Sequence, residues 1–514
     1  MSGLVAARSR APLAGYTMIC LWPAAMFVAR EHAQGERVGP LALAVACALS
    51  GLLWLGGMLA AQAVAASARG WPHARTLTVL TLAVFELFAH ETLRYILAGV
   101  GIGAAASAVL YLALVSTTLA AISYFSVHEA IRSGVGVTAT LLTLLATMHA
   151  LGSQALAPPP SAVAGEPRFQ PVRASTPRNV YLVVLDGYAG PAALLEHLGY
   201  DVQPFIAQMQ ALGYVHVEHA RANYTTTYTS IMAMLAMDYV VDDTAPPYTS
   251  TEPFFPAAWR RDGLPAAPRS LAAGGYDVLH VGNLWVPCKQ SVEVECLGAS
   301  ELGWAAHTVY GFFSPTKIPQ RFARAFFDPG GIPTVLRAVP ELTSRKRPFL
   351  AFVHHLSPHA PYVHADCSTD YTLGDEREKY KQSITCVNAL VLELAKALAA
   401  RDPEAIVLFQ ADHGSDFNVP WKQPFAEWGD VAIDERTSIL SLVRVPDACR
   451  RWIPDDLSPL NAMRLALGCL EDRQPVYLPE RSYLTTYPTF PDFGRVRDVS
   501  ARLLQHAARK RHAR

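Results

Sequence analysis

Residues 11–151 are dominated by Ala, Leu, Val and Gly, with sparse charge. That composition is typical of a membrane-embedded region. At roughly 20 residues per bilayer crossing, the tract divides into about five candidate spans, near 11–29, 40–65, 76–93, 96–122 and 134–152. Glu86, His90, Glu91 and Arg94 crowd the end of the third. A cleaved signal peptide is a poor account of the first span, because further spans follow and no small-residue cleavage site does. Arg8, Arg10, Arg69, Arg75 and Arg132 lie on one set of loops and Arg30, Arg37 and Arg94 on the other, a modest bias for a cytoplasmic N-terminus. Five crossings from that start place the remainder outside the cytoplasm; four or six would place it inside.

From about Pro158 the composition is that of a soluble globular protein. Basic and acidic residues balance, 43 against 43, which gives no reason to expect a nucleic-acid partner. The expected organisation is a transmembrane helical domain over 1–152, a Pro/Ala-rich linker over 153–178, a catalytic domain over 179–490 and a basic tail over 491–514. The last residues read as a frayed, solvated end. Cys288, Cys296, Cys367, Cys386, Cys449 and Cys469 form an even set without CxxC spacing. They read as disulfides in an oxidising compartment rather than as a zinc site, with neighbours pairing as 288–296, 367–386 and 449–469.

Two stretches of the soluble part share one design. Asn179–Leu185 is an apolar run that stops on Asp186-Gly187, and Ala405–Ala411 stops on Asp412-His413-Gly414. Continuous apolar runs suit parallel strands buried on both faces, and open α/β sheets bind ligands beyond the carboxyl ends of their strands. Further strands are predicted at 276–281, 349–354 and 439–444, and helices at 191–211, 228–237, 376–400 and 458–469. The alternation predicts a doubly wound, mostly parallel α/β sheet domain following the helical bundle. Two carboxylates and an imidazole at one sheet edge suggest a divalent metal.

Between the two strands lies Asn223-Tyr224-Thr225-Thr226-Thr227-Tyr228-Thr229-Ser230, hydroxyl residues opening an amphipathic helix. Such a run is an N-cap in its plainest reading. It is also where a nucleophile would sit, since free N–H groups and the helix dipole hold a transferred anionic group. His354 and His359 lie at the end of the 349–354 strand, His359 between two prolines.

In motif order these residues resemble the alkaline phosphatase and sulfatase superfamily, and most closely its membrane-anchored branch, which includes lipoteichoic acid synthases and phosphoethanolamine transferases. The resemblance covers 179 to about 445 and implies an alkaline phosphatase-like fold. It matches the first-strand metal acid to Asp186, the late Asp-His to Asp412 and His413, and the nucleophilic Thr with a Ser three residues on to Thr227 and Ser230. His359 resembles the family's phosphate-contacting histidine. It implies one divalent metal ion, Zn or Mn, held by Asp186, Thr227, Asp412 and His413, with Thr227 and His359 catalytic. Ser230, His354, His359, Ser415 and Arg436 are then candidates for substrate binding, although Arg436 also reads as a surface ion pair with Glu435 or Asp434. Tyr380, Gln382 and Asn388 read as packing and capping residues, while His280 and Trp285 are candidate cleft-lining residues.

Two departures matter. No histidine lies between His413 and His506, so a second metal of the classical phosphatase kind lacks its late ligand. The nucleophile region also lacks the Pro and Arg of the sulfatases' Cys/Ser-x-Pro-x-Arg motif, which disfavours sulfate-ester hydrolysis. The expected protein is therefore a multi-pass inner-membrane phosphotransferase with its catalytic domain on the periplasmic side. It would carry a phosphoglycerol or phosphoethanolamine group from a phospholipid donor to an envelope glycan or lipid acceptor, through a Thr-linked intermediate. The alternatives are a phosphodiesterase or phosphatase using water, and a degenerate, non-catalytic membrane scaffold.

Overall fold

The structure, a computed structural model, describes residues 2–33, 40–67, 71–99, 104–155, 170–283, 291–297, 331–368, 374–488 and 490–513, with a few single residues between. It divides into two compact units, Met1–Pro159 with Trp304–Phe326 and Pro160–Gly303 with Phe327–Arg514.

The first unit contains helices Ser2–Ala33, Pro40–Ser67, His73–Gly99, Ala104–Phe125 and Glu129–Ala155, in agreement with the five apolar stretches. Arg10–Ala29, Pro40–Ser67 and Glu129–Met148 are each long and apolar enough to cross a bilayer. Leu52, Leu55, Leu59, Leu141, Leu145 and Met148 are exposed, as a lipid-facing surface requires. Between the first and fifth helices, a Cβ added to Gly15 would lie 2.4 Å from the Gly136 Cα. Glycine at both places lets the two backbones approach, the usual device where no hydrophobic force drives helices together.

The second unit is built on a seven-stranded sheet. Its strands are β1 Val180–Leu185, β2 Val215–His216, β3 Asp277–Val281, β4 Glu295–Leu297, β5 Phe349–His355, β6 Ile406–Ala411 and β7 Ser441–Arg444, in the order β2-β7-β6-β1-β5-β3-β4. β1 lies at the centre and pairs in parallel with β5 and β6, while β7 runs antiparallel to β6. Every residue of β1, β5 and β6 is buried, as their largely apolar runs predict. The helix Glu376–Arg401 also has a span-like apolar window. Its Ile384, Val387, Val391, Leu394 and Leu398 belong instead to the core of this unit.

The predicted 191–211 helix is two helices, Pro191–Leu198 and Gln203–Ala211. The break is at Gly199, whose left-handed backbone caps the first helix through Leu194 and Leu195 carbonyls. Three disulfides join Cys288 to Cys296, Cys367 to Cys386 and Cys449 to Cys469.

The C-terminal residues are ordered where a frayed end was expected. Ser500–Ala513 is a helix that packs Leu503 and the preceding Val499 against Phe425, Trp428 and Ile433. Arg502 donates to Asp430 at 2.8 Å, Arg509 also pairs with Asp430, and Lys510 reaches Asp434 at 2.8 Å and Glu196 at 2.6 Å. The basic residues therefore answer an acidic patch on the helix Asp430–Thr437. Asp430→Ala should speed amide exchange across 500–513 and leave the sheet protected. Unchanged exchange would mean that the apolar contacts hold this helix alone.

Candidate metal centre

The site follows from strand register. β1 and β6 pair from Val180 with Ile406 through Leu185 with Ala411. The next residues, Asp186 and Asp412, thus leave the same sheet edge at the same level. Asp186 continues the ladder on its other side, its N–H donating to His355 O at 3.0 Å. The Asp412 Oδ1 accepts the N–H groups of Gly187 and His413, each at 2.9 Å. Gly414 is required for the turn, because a Cβ there would lie 2.1 Å from the Glu435 carbonyl oxygen.

His413 lies between the carboxylates. Its Nδ1 bonds the Gly414 carbonyl at 3.0 Å; a carbonyl only accepts, so Nδ1 carries the proton and Nε2 presents a lone pair. That Nε2 is 3.3 Å from Asp412 Oδ2, 3.7 Å from Asp186 Oδ1 and 3.0 Å from Thr227 Oγ1. His354, on β5, donates from Nε2 to Asp186 Oδ2 at 3.2 Å. Its tautomer is set by Asn283, whose amide donates to His354 Nδ1 at 3.2 Å and to its carbonyl at 2.9 Å.

Burial makes the electrostatics severe. Burial alone would raise the Asp186 carboxyl, but His359, His354 and His413 outweigh it and hold the group well below the usual range. Asp412 is pushed up to about 6, first by burial and then by the Asp186 charge. Burial, helped by Arg436, brings His413 down to about 3. Asp186 Oδ1 and Asp412 Oδ2 are buried with no hydrogen-bond donor. One ligand atom from each of Asp186, Asp412 and His413 lies within 4.8 Å of the others. Two orphaned carboxylate oxygens, one imidazole lone pair and an adjacent hydroxyl fit a divalent cation in their donor chemistry. A second grouping, Glu196, His197 and Asp434, is already bridged by the Lys510 ammonium.

Thr227 is the first residue of the helix Thr227–Ala236, after the N-cap Thr226. The threonines on either side are engaged elsewhere: Thr226 Oγ1 contacts Thr229 and Thr485 Oγ1, both at 2.8 Å, and Thr225 Oγ1 donates to Thr485 O at 2.8 Å. Thr227 is thus the member of the run that meets His413.

The remaining candidates separate. His359 is exposed, with Nδ1 bonded to its neighbour's carbonyl at 2.7 Å. It lines a cavity of about 220 Å³ together with Gly187, Tyr362, Ser415, Asp416 and Arg436. Ser230 donates to Tyr224 O at 2.8 Å and Ser415 to Glu435 Oε1 at 2.7 Å, so both hydroxyls brace the chain. Arg436 is buried rather than on the surface. It makes no ion pair with Glu435 or Asp434: its Nε donates to Thr225 O at 2.8 Å and its Nη1 to Gly414 O at 3.0 Å. Glu435 instead gathers Ser415, the Phe417 N–H and Asn418. Tyr380 donates to Gly187 O at 2.7 Å and Asn388 accepts from Tyr188 at 2.6 Å, in keeping with the packing role read for them. His280 stacks on Trp259 at 5.1 Å, lining a separate cavity. Trp285 lies outside the described residues.

Sequence reasoning missed Asn283, Glu435 as the organiser of the 415–418 turn, and the 485–487 segment. None belongs to a motif, and each is recognised only by what it touches.

Several solved structures are similar to the chain. The integral membrane protein lipooligosaccharide phosphoethanolamine transferase A from Neisseria meningitidis is 14% identical; the match covers 89% of this chain and 95% of that one, with a TM-score of 0.42. The C-terminal periplasmic domain of EcEptC from Escherichia coli, in complex with Zn, is 13% identical, with 64% and 96% covered and a TM-score of 0.41. The C-terminal periplasmic domain of phosphoethanolamine transferase EptC from Campylobacter jejuni is 13% identical, with 60% and 100% covered and a TM-score of 0.39. No curated protein matches the chain. The family model for sulfatases matches residues 178–434, half of the chain. That stretch contains Asp186, Thr227, Asp412 and His413, and the chain belongs to the sulfatase family.

Proposed function

We propose that this protein is a membrane-anchored, metal-dependent phosphotransferase. It moves a phospholipid-derived phosphoglycerol or phosphoethanolamine group to an envelope glycan or lipid through a covalent bond to Thr227. The observation that supports this most directly is the meeting of Asp186, Asp412, His413 and Thr227, with two buried carboxylate oxygens lacking any donor. One divalent cation, zinc or manganese, would supply positive charge that lowers the threonine pKa and neutralises the phosphoryl oxygens.

The chain's own groups do the rest. Thr227 Oγ1, its proton passed to solvent, attacks phosphorus as the bond to the lipid alcohol breaks. The departing oxygen keeps the electron pair and takes a proton from His359. In the second half an acceptor hydroxyl gives its proton to His359 and attacks phosphorus, and the electron pair of the broken bond returns to Thr227 Oγ1. The helix N-terminus beneath Thr227 favours the anionic group throughout. His354 and Asn283 hold the Asp186 carboxylate in place. Apolar helices continuous in sequence with the catalytic unit suit a lipid donor, and three disulfides suit an extracytoplasmic compartment. The absence of the Cys/Ser-x-Pro-x-Arg pattern at the nucleophile favours a phosphate over a sulfate ester. His359 is exposed, which leaves water able to act as acceptor, so phosphodiester hydrolysis is the second reading.

Thr227→Ala should lower turnover of a chromogenic phosphodiester by at least about 10³-fold. Full activity in that variant ends the proposal. Comparing product with and without a sugar acceptor separates transfer from hydrolysis.

Metal binding should depend on pH with a definite sign. In the metal-free fold Asp412 keeps its proton up to about pH 6, whereas an unfolded Asp loses it near about 4. Asp412 alone would therefore make metal-free stability fall as pH rises from about 4 to about 6, while His413, held down to about 3, contributes the opposite slope over the same range. Cation binding needs the carboxylate, so zinc should bind with proton release and up to about tenfold more weakly at about pH 5 than at about pH 7. Calorimetric titration at both pH values measures this, and equal affinities would contradict the assignment of Asp412.

A further inference from the structure

Away from the catalytic centre, three helices bring a second set of metal-type ligands to one place. Glu196 and His197 stand at the carboxyl end of Pro191–Leu198, Asp434 lies on Asp430–Thr437, and His506 and Lys510 lie on Ser500–Ala513. One ligand atom from each of Glu196, His197 and Asp434 lies within 4.8 Å of the others. The Lys510 ammonium sits among them, 2.6 Å from Glu196 Oε2 and 2.8 Å from Asp434 Oδ2. His506 is one helical turn before Lys510 and on the same face, and its Nε2 is 3.9 Å from that same Asp434 oxygen. The other Asp434 oxygen accepts from Arg221 at 2.7 Å, which fixes the carboxylate and leaves Oδ2 to the cluster. Lys510 accounts for the two carboxylates but not for the imidazoles. Among the described residues, the Nε2 atoms of His197 and His506 are buried with no hydrogen-bond partner, and native folds seldom keep such atoms without one.

We propose that Glu196, His197, Asp434 and His506 form a separate, structural zinc site, and that Lys510 is the chain's own cation holding the place in the metal-free fold. Two imidazole nitrogens and two carboxylate oxygens make a donor set for zinc, whereas magnesium and calcium prefer oxygen alone. The Arg221 hydrogen bond is the outer support that orients a ligating carboxylate. Lys510 is readily displaced, because ion pairs of a partly exposed ammonium contribute little and its long side chain reaches solvent. Glu196 is exposed, which gives the cation a way in. Zinc here joins the C-terminal helix to the helix that carries Glu435 and Arg436. The site shares no residue with the centre of Asp186, Asp412 and His413, so it does not rest on the phosphotransfer reading.

The test uses the full-length protein in detergent micelles with zinc chloride as the added metal. Metal analysis after dialysis should show one zinc per chain fewer in the His197→Gln/His506→Gln variant than in the wild type, whatever the catalytic centre retains. Amide exchange across 500–513 should slow about 100-fold when free zinc is raised to about 100 times its dissociation constant. In His506→Gln, zinc should have no such effect. Lys510→Gln removes the competing ammonium and should tighten this binding; a lysine needed only for its ion pairs would leave the affinity unchanged or weaken it. Equal zinc counts in the wild type and the double variant overturn the proposal, as does exchange at 500–513 that ignores zinc. Zinc binding that Lys510→Gln weakens or leaves unchanged overturns it too. Should the double variant unfold, the Lys510→Gln titration decides alone.

Discussion

The in-register parallel pairing of β1 with β6 is the constraint from which the site follows. It fixes Asp186 and Asp412 side by side at the carboxyl edge of a sheet whose central strands are wholly buried. Adjacent buried carboxylates repel and are poorly solvated, so each must be compensated. Asp412 receives two backbone N–H groups and Asp186 the His354 imidazole. One oxygen of each remains without a donor. A fold that maintains such an arrangement retains a strong local demand for positive charge, which a divalent cation would meet.

Around this pair the protein is braced from distant parts of the chain. The helix Asp430–Thr437 contributes Glu435, which holds the 415–418 turn, and Arg436, which joins the carbonyls of Thr225 and Gly414. One short helix thereby ties the threonine run to the Asp-His-Gly turn. It is held in turn by the basic residues of Ser500–Ala513. The 485–487 segment grips the threonine run from the other side. Reactive geometry of this kind depends on a supporting shell that locks each rotamer, and here much of that shell lies C-terminal to the family-matched stretch.

Much of this was legible in the sequence because periodicity and strand ends are local signals. The central strands, the apolar helices, the Glu376–Arg401 helix and the three neighbouring cysteine pairs were all read from runs and spacings. The two-residue strands β2 and β8 (Tyr483–Leu484) were not, since so short a segment has no period. The split at Gly199 was hidden because the apolar pattern continues across a glycine that ends the helix. Arg436 misled for a related reason: beside Asp434 and Glu435 in sequence it resembles a surface charge, and nothing local reveals that it is buried.

By itself the sequence determined that two apolar runs end in carboxylates, that hydroxyl residues open a helix between them, and that a long apolar tract precedes both. Those are properties of neighbours along the chain, where side-chain type and spacing suffice. Only the tertiary structure decided which threonine meets His413, that Ser230 and Ser415 brace the backbone, and that Asn283 and Glu435 support the residues around it. Such choices depend on which groups become desolvated together, and contacts between residues hundreds of positions apart leave no mark in local composition.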